Sequence, residues 1–398
     1  VRLHIDTGSS DLWVNTPQST FCTSSSNPCA YAGTYSANES STYEYISSIF
    51  NISYVDGSGA SGDYVSDTVT IGSQKLDRLQ FGIGYSSNNG QGILGIGYPL
   101  NEVQAGHAGL GTYNNLPAQL VADGIIQSNA YSIWLNDLDS STGNILFGGV
   151  DTEKYTPPLS SIPVESTSGR YGNIMVTLTG LQLDNKTLHD GDLAIAVLLD
   201  TGSSLTYLPD QMVQDIYSTI GALHASDAET AFVACSLAQS TSHLTFSFSG
   251  PTITVAMNEL VLDLVTASGG RPKFHNGDSA CLFGIAPAGQ GTYVLGDTFL
   301  RSAYVVYDLE NNVVALAQTK FNASASAVVE IGKGEGAIPG ATVVQNPVKA
   351  TEGLRGINGG SPPAKKSGAG RMRPGVAGGW GLGVVVGVVG VLGVVVGL

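Results

Sequence analysis

The pentapeptide Asp-Thr-Gly-Ser-Ser occurs twice in this chain, at Asp6–Ser10 and at Asp200–Ser204. Each copy follows a mainly apolar run (1–5 and 196–199) and precedes another, Leu12-Trp13-Val14 or Leu205-Thr206-Tyr207-Leu208. One copy alone reads as a turn, since Asp, Gly and Ser all favour turns. Two copies set between matching strands point to one active site built from two related halves. Carboxylates brought into contact cannot both ionise easily, so the pair keeps one proton over a broad acidic range. The ionised member then serves as general base on a water molecule, and the protonated member polarises a carbonyl. Asp6 and Asp200 are therefore the candidate catalytic pair, in a chemistry that requires no metal and no cofactor.

The flanking residue types suit this task. Gly8 and Gly202 have no Cβ, so the turns can tighten and the two backbones can approach. Thr7 and Thr201 can link the halves through hydroxyl–amide hydrogen bonds. Ser9 and Ser203 can bond the outer carboxylate oxygens and hold them coplanar. Asp297, in Leu295-Gly296-Asp297, is a third acid and reads as a structural group near the floor of the site. His4, two residues before Asp6, reads as a strand residue satisfied by a neighbour. The six histidines are scattered, and no metal-protease helix, serine-nucleophile elbow or phosphate-binding loop is present in the sequence.

Short β-branched runs alternate with Gly/Ser/Asn turns through the first 320 residues, which predicts an all-β protein with few helices. Leu116–Gly124, with proline near its start and glycine at its end, and a segment opened by Pro209 are the helical exceptions. The length suffices for two lobes, 1–160 and 161–320, with the boundary near Pro157-Pro158 to Pro163. A substrate cleft is expected between them. Residues 1–320 carry 10 Lys/Arg against 29 Asp/Glu, whereas 321–398 carry 7 against 3. An acidic body argues against a nucleic-acid partner, because phosphate repels it. It would suit work at acidic pH. It would also attract substrates with Lys or Arg beside the cut bond, although surface acidity equally serves solvation.

These motifs resemble those of the pepsin-like aspartic peptidases, most closely the yapsin-type, surface-anchored group of fungi, over roughly residues 1–320. Ile52–Ser58 resembles the family's flap hairpin. Gly92–Gly97 and Val294–Leu300 resemble the apolar-glycine segments that cross behind each catalytic loop. The resemblance implies a bilobal, pepsin-like fold acting on protein or peptide substrates as a monomer. It assigns Asp6 and Asp200 to catalysis and Tyr54 to the flap, with Trp13 donating its indole N–H to the Tyr54 hydroxyl. Asp56 and Ser58 match flap-tip positions that bond substrate backbone. Val55 stands where the family often has glycine, and Ser203 where many relatives have threonine. An inactive peptide-binding relative and a wall adhesive are the competing classes. The intact aspartates and flap tyrosine oppose the first, and the lack of long Ser/Thr repeats opposes the second.

Four cysteines permit three pairings. The spacings lack the usual paired zinc pattern. The resemblance implies Cys22–Cys29 in the first lobe and Cys235–Cys281 in the second, and disulfides imply the secretory route. Acceptor motifs for N-glycosylation at Asn38, Asn51, Asn185 and Asn322 agree. Asn51 is the least favourable, lying in the strand that leads into the flap. Residues 321–379 read as a flexible stalk and spacer. Residues 380–398 are uncharged and Gly/Val-rich, and they fit a GPI-attachment signal better than a plain membrane helix. Ser367 is the favoured attachment site, and Asn358 comes second. The protein is thus expected at the cell surface, lipid-anchored to plasma membrane or wall. Val1 falls inside the strand that carries Asp6, so a longer precursor with a signal peptide and propeptide is expected.

Overall fold

A computed structural model describes residues 1–106, 110–189, 191–225, 230–265, 269–354 and 383–388. The fold is mostly β, with short helices at Leu116–Ala122, Asp210–Ile220, Met257–Leu260 and Asp297–Leu300. Asn115 caps the first of these, accepting from the Ala118 N–H. The second begins after Pro209 and ends at Gly221, whose φ of 71° supplies the left-handed C-terminal turn that glycine adopts without strain.

The repeated pentapeptide reports a repeated topology. In the first lobe, Leu3–Asp6 runs parallel to Gly92–Gly95, which is antiparallel to Leu12–Asn15, which in turn is parallel to Gln74–Ser87. In the second lobe, Ile195–Leu199 runs parallel to Val294–Leu295, which pairs antiparallel with Thr206–Leu208, itself parallel to Ile285–Pro287. Each acid stands at the buried end of a strand, with an apolar-glycine segment laid alongside it. Glycine is required there: a Cβ on Gly296 would lie 2.3 Å from the carbonyl oxygens of Ser203 and Leu205. In the first lobe the sheet continues through Gly59–Ile71 to Glu44–Ser53, whose hairpin is the flap.

A seven-stranded sheet joins the lobes. Its order is Ala341–Val343, Tyr155–Pro163, Val313–Thr319, Ala303–Asp308, Ala130–Trp134, Thr142–Phe147 and Gly383–Val388. The expected lobe boundary at 157–163 therefore lies within a paired strand of the shared sheet. Its register against Val313–Thr319 breaks between Thr156 and Ser160, where Pro157 and Pro158 have no N–H to give. One large apolar core spans both lobes, and a smaller cluster of Trp13, Phe50, Ile52, Ala60, Tyr64 and Ile93 supports the flap.

The structure differs from the expectation of a flexible stalk beginning at 321. Residues 321–354 form a strap fastened to the body. Val328–Glu330 pairs with Gly149–Asp151, and Ala341–Val343 runs parallel to Leu159–Ser161. Ile331 and Ile338 are buried beside Trp134, Tyr155 and Tyr304. Further on, the Thr351 N–H donates to Ala194 O and the Ala196 N–H to Glu352 O, both at 2.8 Å. The strap is held by scattered apolar anchors and backbone hydrogen bonds, so its Gly-rich composition hides it. Ser367, the residues from 355 to 379 and most of the apolar tail lie outside the described residues.

If the strap belongs to the folded unit, Ile331→Ala should cost about 2–4 kcal/mol of stability, as for other fully buried side chains. Urea unfolding checks this, and an unchanged midpoint would mean that the strap contributes nothing.

Candidate active site

Asp6 and Asp200 are brought together from the two lobes, and both are buried. Their contact is tight: a Cβ on Gly8 would sit 2.5 Å from Asp200 Oδ1, and one on Gly202 would sit 2.5 Å from Asp6 Oδ1. The two glycines thus leave room for the carboxyl group of the opposite lobe. Each acid is held the same way. The Gly8 N–H donates to Asp6 Oδ1 at 2.8 Å, and the Ser9 hydroxyl donates to Asp6 Oδ2. The Gly202 N–H donates to Asp200 Oδ1 at 2.8 Å, and the Ser203 hydroxyl to Asp200 Oδ2 at 2.7 Å.

The threonines lock the loops across the interface. The Thr7 hydroxyl accepts from the Thr201 N–H at 3.1 Å and donates to Leu199 O at 2.7 Å. Reciprocally, the Thr201 hydroxyl accepts from the Thr7 N–H at 3.1 Å and donates to Ile5 O at 2.8 Å. These four buried hydrogen bonds connect catalytic loops 194 residues apart. Each contributes about 1 kcal/mol net, and losing one partner would cost more by stranding the other.

Burial, and then the charge of Asp6, raise the Asp200 pKa to about 7. Loss of water and the neighbouring acid both favour a carboxyl that keeps its proton. Asp297, at the start of a helical turn, is raised to about 7, chiefly by burial. Arg301 and His4 pull it down, and Asp200 pushes it up. Arg301 is itself occupied, donating from Nε to Glu259 Oε2 at 2.9 Å and to the Glu259 carbonyl at 2.8 Å.

The hairpin that resembles a flap brings Tyr54 within electrostatic reach of Asp6. The Trp13 Nε1–H donates to the Tyr54 hydroxyl at 2.9 Å, as the family resemblance implied. Burial and the nearby Asp6 raise the Tyr54 pKa far above its ordinary value, so this hydroxyl stays neutral. At the tip, Gly57 has φ of 79°, its N–H donates to Tyr54 O, and Asp56 Oδ1 accepts from the Ser58 N–H at 2.8 Å. Asp56 and Val55 are exposed. Asn88 braces the base, accepting from the Gly59 N–H at 2.8 Å and donating to Gly57 O at 3.0 Å. Nothing in the sequence around Asn88 marks that role.

A second acid cluster lies under the flap. Asp11 accepts from the hydroxyls of Tyr64 at 2.5 Å and Tyr113 at 2.9 Å, and from the Val103 N–H at 2.8 Å. Burial raises its pKa. Glu102 is buried and accepts from the Tyr113 N–H through Oε2, while Oε1 has no partner. Burial pushes its pKa up to about 9, with Asp11 adding to the rise. Asp11 follows the first motif directly, but only the fold reveals its partners.

Both disulfides implied by the resemblance are formed, Cys22–Cys29 and Cys235–Cys281. Asp263 lies beside Cys235 and Cys281, but their sulfurs are bonded to each other and offer no thiolate. Asn38, Asn51, Asn185 and Asn322 are all exposed. Asn51 and Ser53 share the outer face of their strand, with Ile52 buried between them.

Comparison with known proteins agrees with this geometry. The family described as eukaryotic aspartyl protease matches residues 1–319. The chain is 53% identical over 353 residues to a probable aspartic-type endopeptidase, opsB, of Aspergillus oryzae, which covers 87% of this chain and 72% of that protein. It is 48% identical over 391 residues to the probable aspartic-type endopeptidase OPSB of Arthroderma benhamiae, covering 94% and 79%. It is 35% identical over 327 residues to secreted aspartic protease 8 of Candida albicans, covering 81% and 73%. The chain belongs to the eukaryotic aspartyl protease family. It is an endopeptidase of the aspartic type, with the pepsin-like bilobal fold.

The raised acids set a direction for stability with pH. A carboxyl whose folded pKa exceeds its ordinary value binds its proton more tightly in the folded chain. Its contribution is complete below the ordinary values of 3.8 for Asp and 4.5 for Glu, and is lost as pH rises toward about 7 for Asp200 and Asp297 and about 9 for Glu102. Urea midpoints should therefore fall steadily from mildly acidic to alkaline pH. Glu102→Gln, which cannot ionise, should flatten that decline without lowering the acidic midpoint, and an unaltered slope would remove Glu102 from the account.

Proposed function

We propose that this chain hydrolyses peptide bonds by activating water between Asp6 and Asp200, with no covalent intermediate. The observation that carries this reading is the juxtaposition of two buried carboxyl groups from opposite lobes, each braced by its own glycine amide and serine hydroxyl. With one proton between them, one carboxylate takes a proton from water as the oxygen attacks the scissile carbonyl. The other carboxyl donates toward the developing oxyanion. Proton movement back through the pair then releases the amine. Tyr54, held by Trp13, covers the reacting groups and excludes bulk water, while flap-tip Asp56 and Ser58 orient the substrate backbone.

The same reading places the enzyme in the secretory pathway and at the cell surface. Its support is two disulfides, four exposed glycosylation acceptors and a relative named as a secreted protease. A GPI anchor attached near Ser367 would lie C-terminal to the strap. Among the described residues no helix is long and apolar enough to cross a membrane. Release of the protein from cells by a phosphatidylinositol-specific phospholipase, followed by mass analysis of the C-terminal peptide, tests the anchor and its site.

Asp6→Asn and Asp200→Asn should each reduce peptide cleavage by at least about a hundredfold, the lower range for removing an acid–base group. A statine-type transition-state mimic should still bind, which distinguishes lost chemistry from lost folding. Full cleavage by both variants would refute the mechanism. Tyr54→Ala should lower kcat/KM by about tenfold or more through loss of substrate positioning. Its melting temperature should stay near that of the parent, and a large drop would make Tyr54 a core residue instead.

A further inference from the structure

His4 makes a contact that the internal repeat does not duplicate. Asp6 corresponds to Asp200, so the residue two positions earlier, His4, corresponds to Leu198. The matching sheet registers equate Leu94-Gly95-Ile96 with Leu295-Gly296-Asp297. On one side of the pseudo-twofold the pair is therefore Leu198 and Ile96, both hydrocarbon. On the other side it is His4 and Asp297.

His4 Nε2 lies 3.0 Å from the carbonyl oxygen of Thr201 in the opposite lobe. A carbonyl only accepts, so Nε2 carries the hydrogen. Thr201 directly follows Asp200 and is one half of the reciprocal threonine lock. The His4 bond is thus a fifth cross-lobe tie on the same turn, made by a side chain on the strand that ends in Asp6. Leu198 has no donor with which to make the equivalent bond to the first-lobe turn. His4 also acts electrostatically on Asp297, which Arg301 and Asp200 flank as well.

We infer that His4 is a positioning residue for the dyad: its Nε2–H holds the Thr201 carbonyl from the opposite lobe and fixes the Asp200 turn against the Asp6 strand. The bond also makes the two halves of a near-symmetric site unequal, because the Leu198 side chain gives the first-lobe turn no matching tie. The inference rests on the two-aspartate mechanism above and adds a residue that the repeated motif does not contain.

The test compares three variants of the active protein. His4→Leu installs the residue found at the twofold-related position. His4→Gln keeps an N–H at the reach of Nε2. His4→Asn keeps an amide that falls short. Active sites are counted by titration with a statine-type inhibitor, so that kcat is expressed per competent site. His4→Leu and His4→Asn should each lose about ten- to a hundredfold in kcat, the scale of a misplaced catalytic group. Their KM should stay within about twofold, because the flap and its substrate contacts are untouched. His4→Gln should recover most of the loss. Parental kcat in His4→Leu or His4→Asn would overturn the inference, as would equal loss in His4→Gln. A change confined to KM would overturn it too. Should His4→Leu give no folded protein, the contrast between His4→Gln and His4→Asn decides alone. An inactive parent would instead sink the mechanism itself.

Discussion

Two buried carboxyl groups pressed together repel each other once both ionise, and the surrounding structure is arranged to keep them together. The reciprocal threonine bonds set the separation of the two turns, and the glycines beside them lack the Cβ atoms that would clash with the opposite carboxyl group. Burial, and then the charge of Asp6, favour the protonated form of Asp200 at this contact. The shared sheet and the crossing apolar-glycine segments bring the two turns to this contact.

The repeated motif made much of this legible before any coordinates. Identical pentapeptides between similar strands fold alike, and the fold repeats down to the sheet registers. The Trp13–Tyr54 bond was legible only through family resemblance, since residues 41 apart carry no local signal of contact. Asn88 and Glu102 escaped, and His4 could be read only as a strand residue with some neighbour, because their partners (Gly57 and Gly59, Tyr113, and the Thr201 carbonyl) are placed by the fold. The strap escaped for another reason. Secondary structure is read from periodic side chains, and this segment is fixed by two buried isoleucines and by backbone bonds that any residue can make. The prolines at 157, 158 and 163 suggested a border between lobes, yet the strand that contains them binds the lobes together.

Acidity is a property of the body of this protein as well as of its site. Asp11, Glu102, Asp200 and Asp297 all sit where burial favours the neutral acid. Two of them lie near the flap-like hairpin and two at the junction of the lobes, so acidic conditions that protonate these carboxyls also stabilise the structure around the site. The surface points the same way, with few basic groups to repel one another when the carboxylates lose their charge.

The sheet that joins the lobes has a consequence for biosynthesis. Its central partners are Ala130–Trp134 and Ala303–Asp308, and the latter also pairs with Val313–Thr319. A ribosome therefore delivers the first lobe long before the strands that complete the joint. Asp200 itself is made well before Val313–Thr319, so for part of synthesis both aspartates exist without the completed sheet that fastens their lobes together.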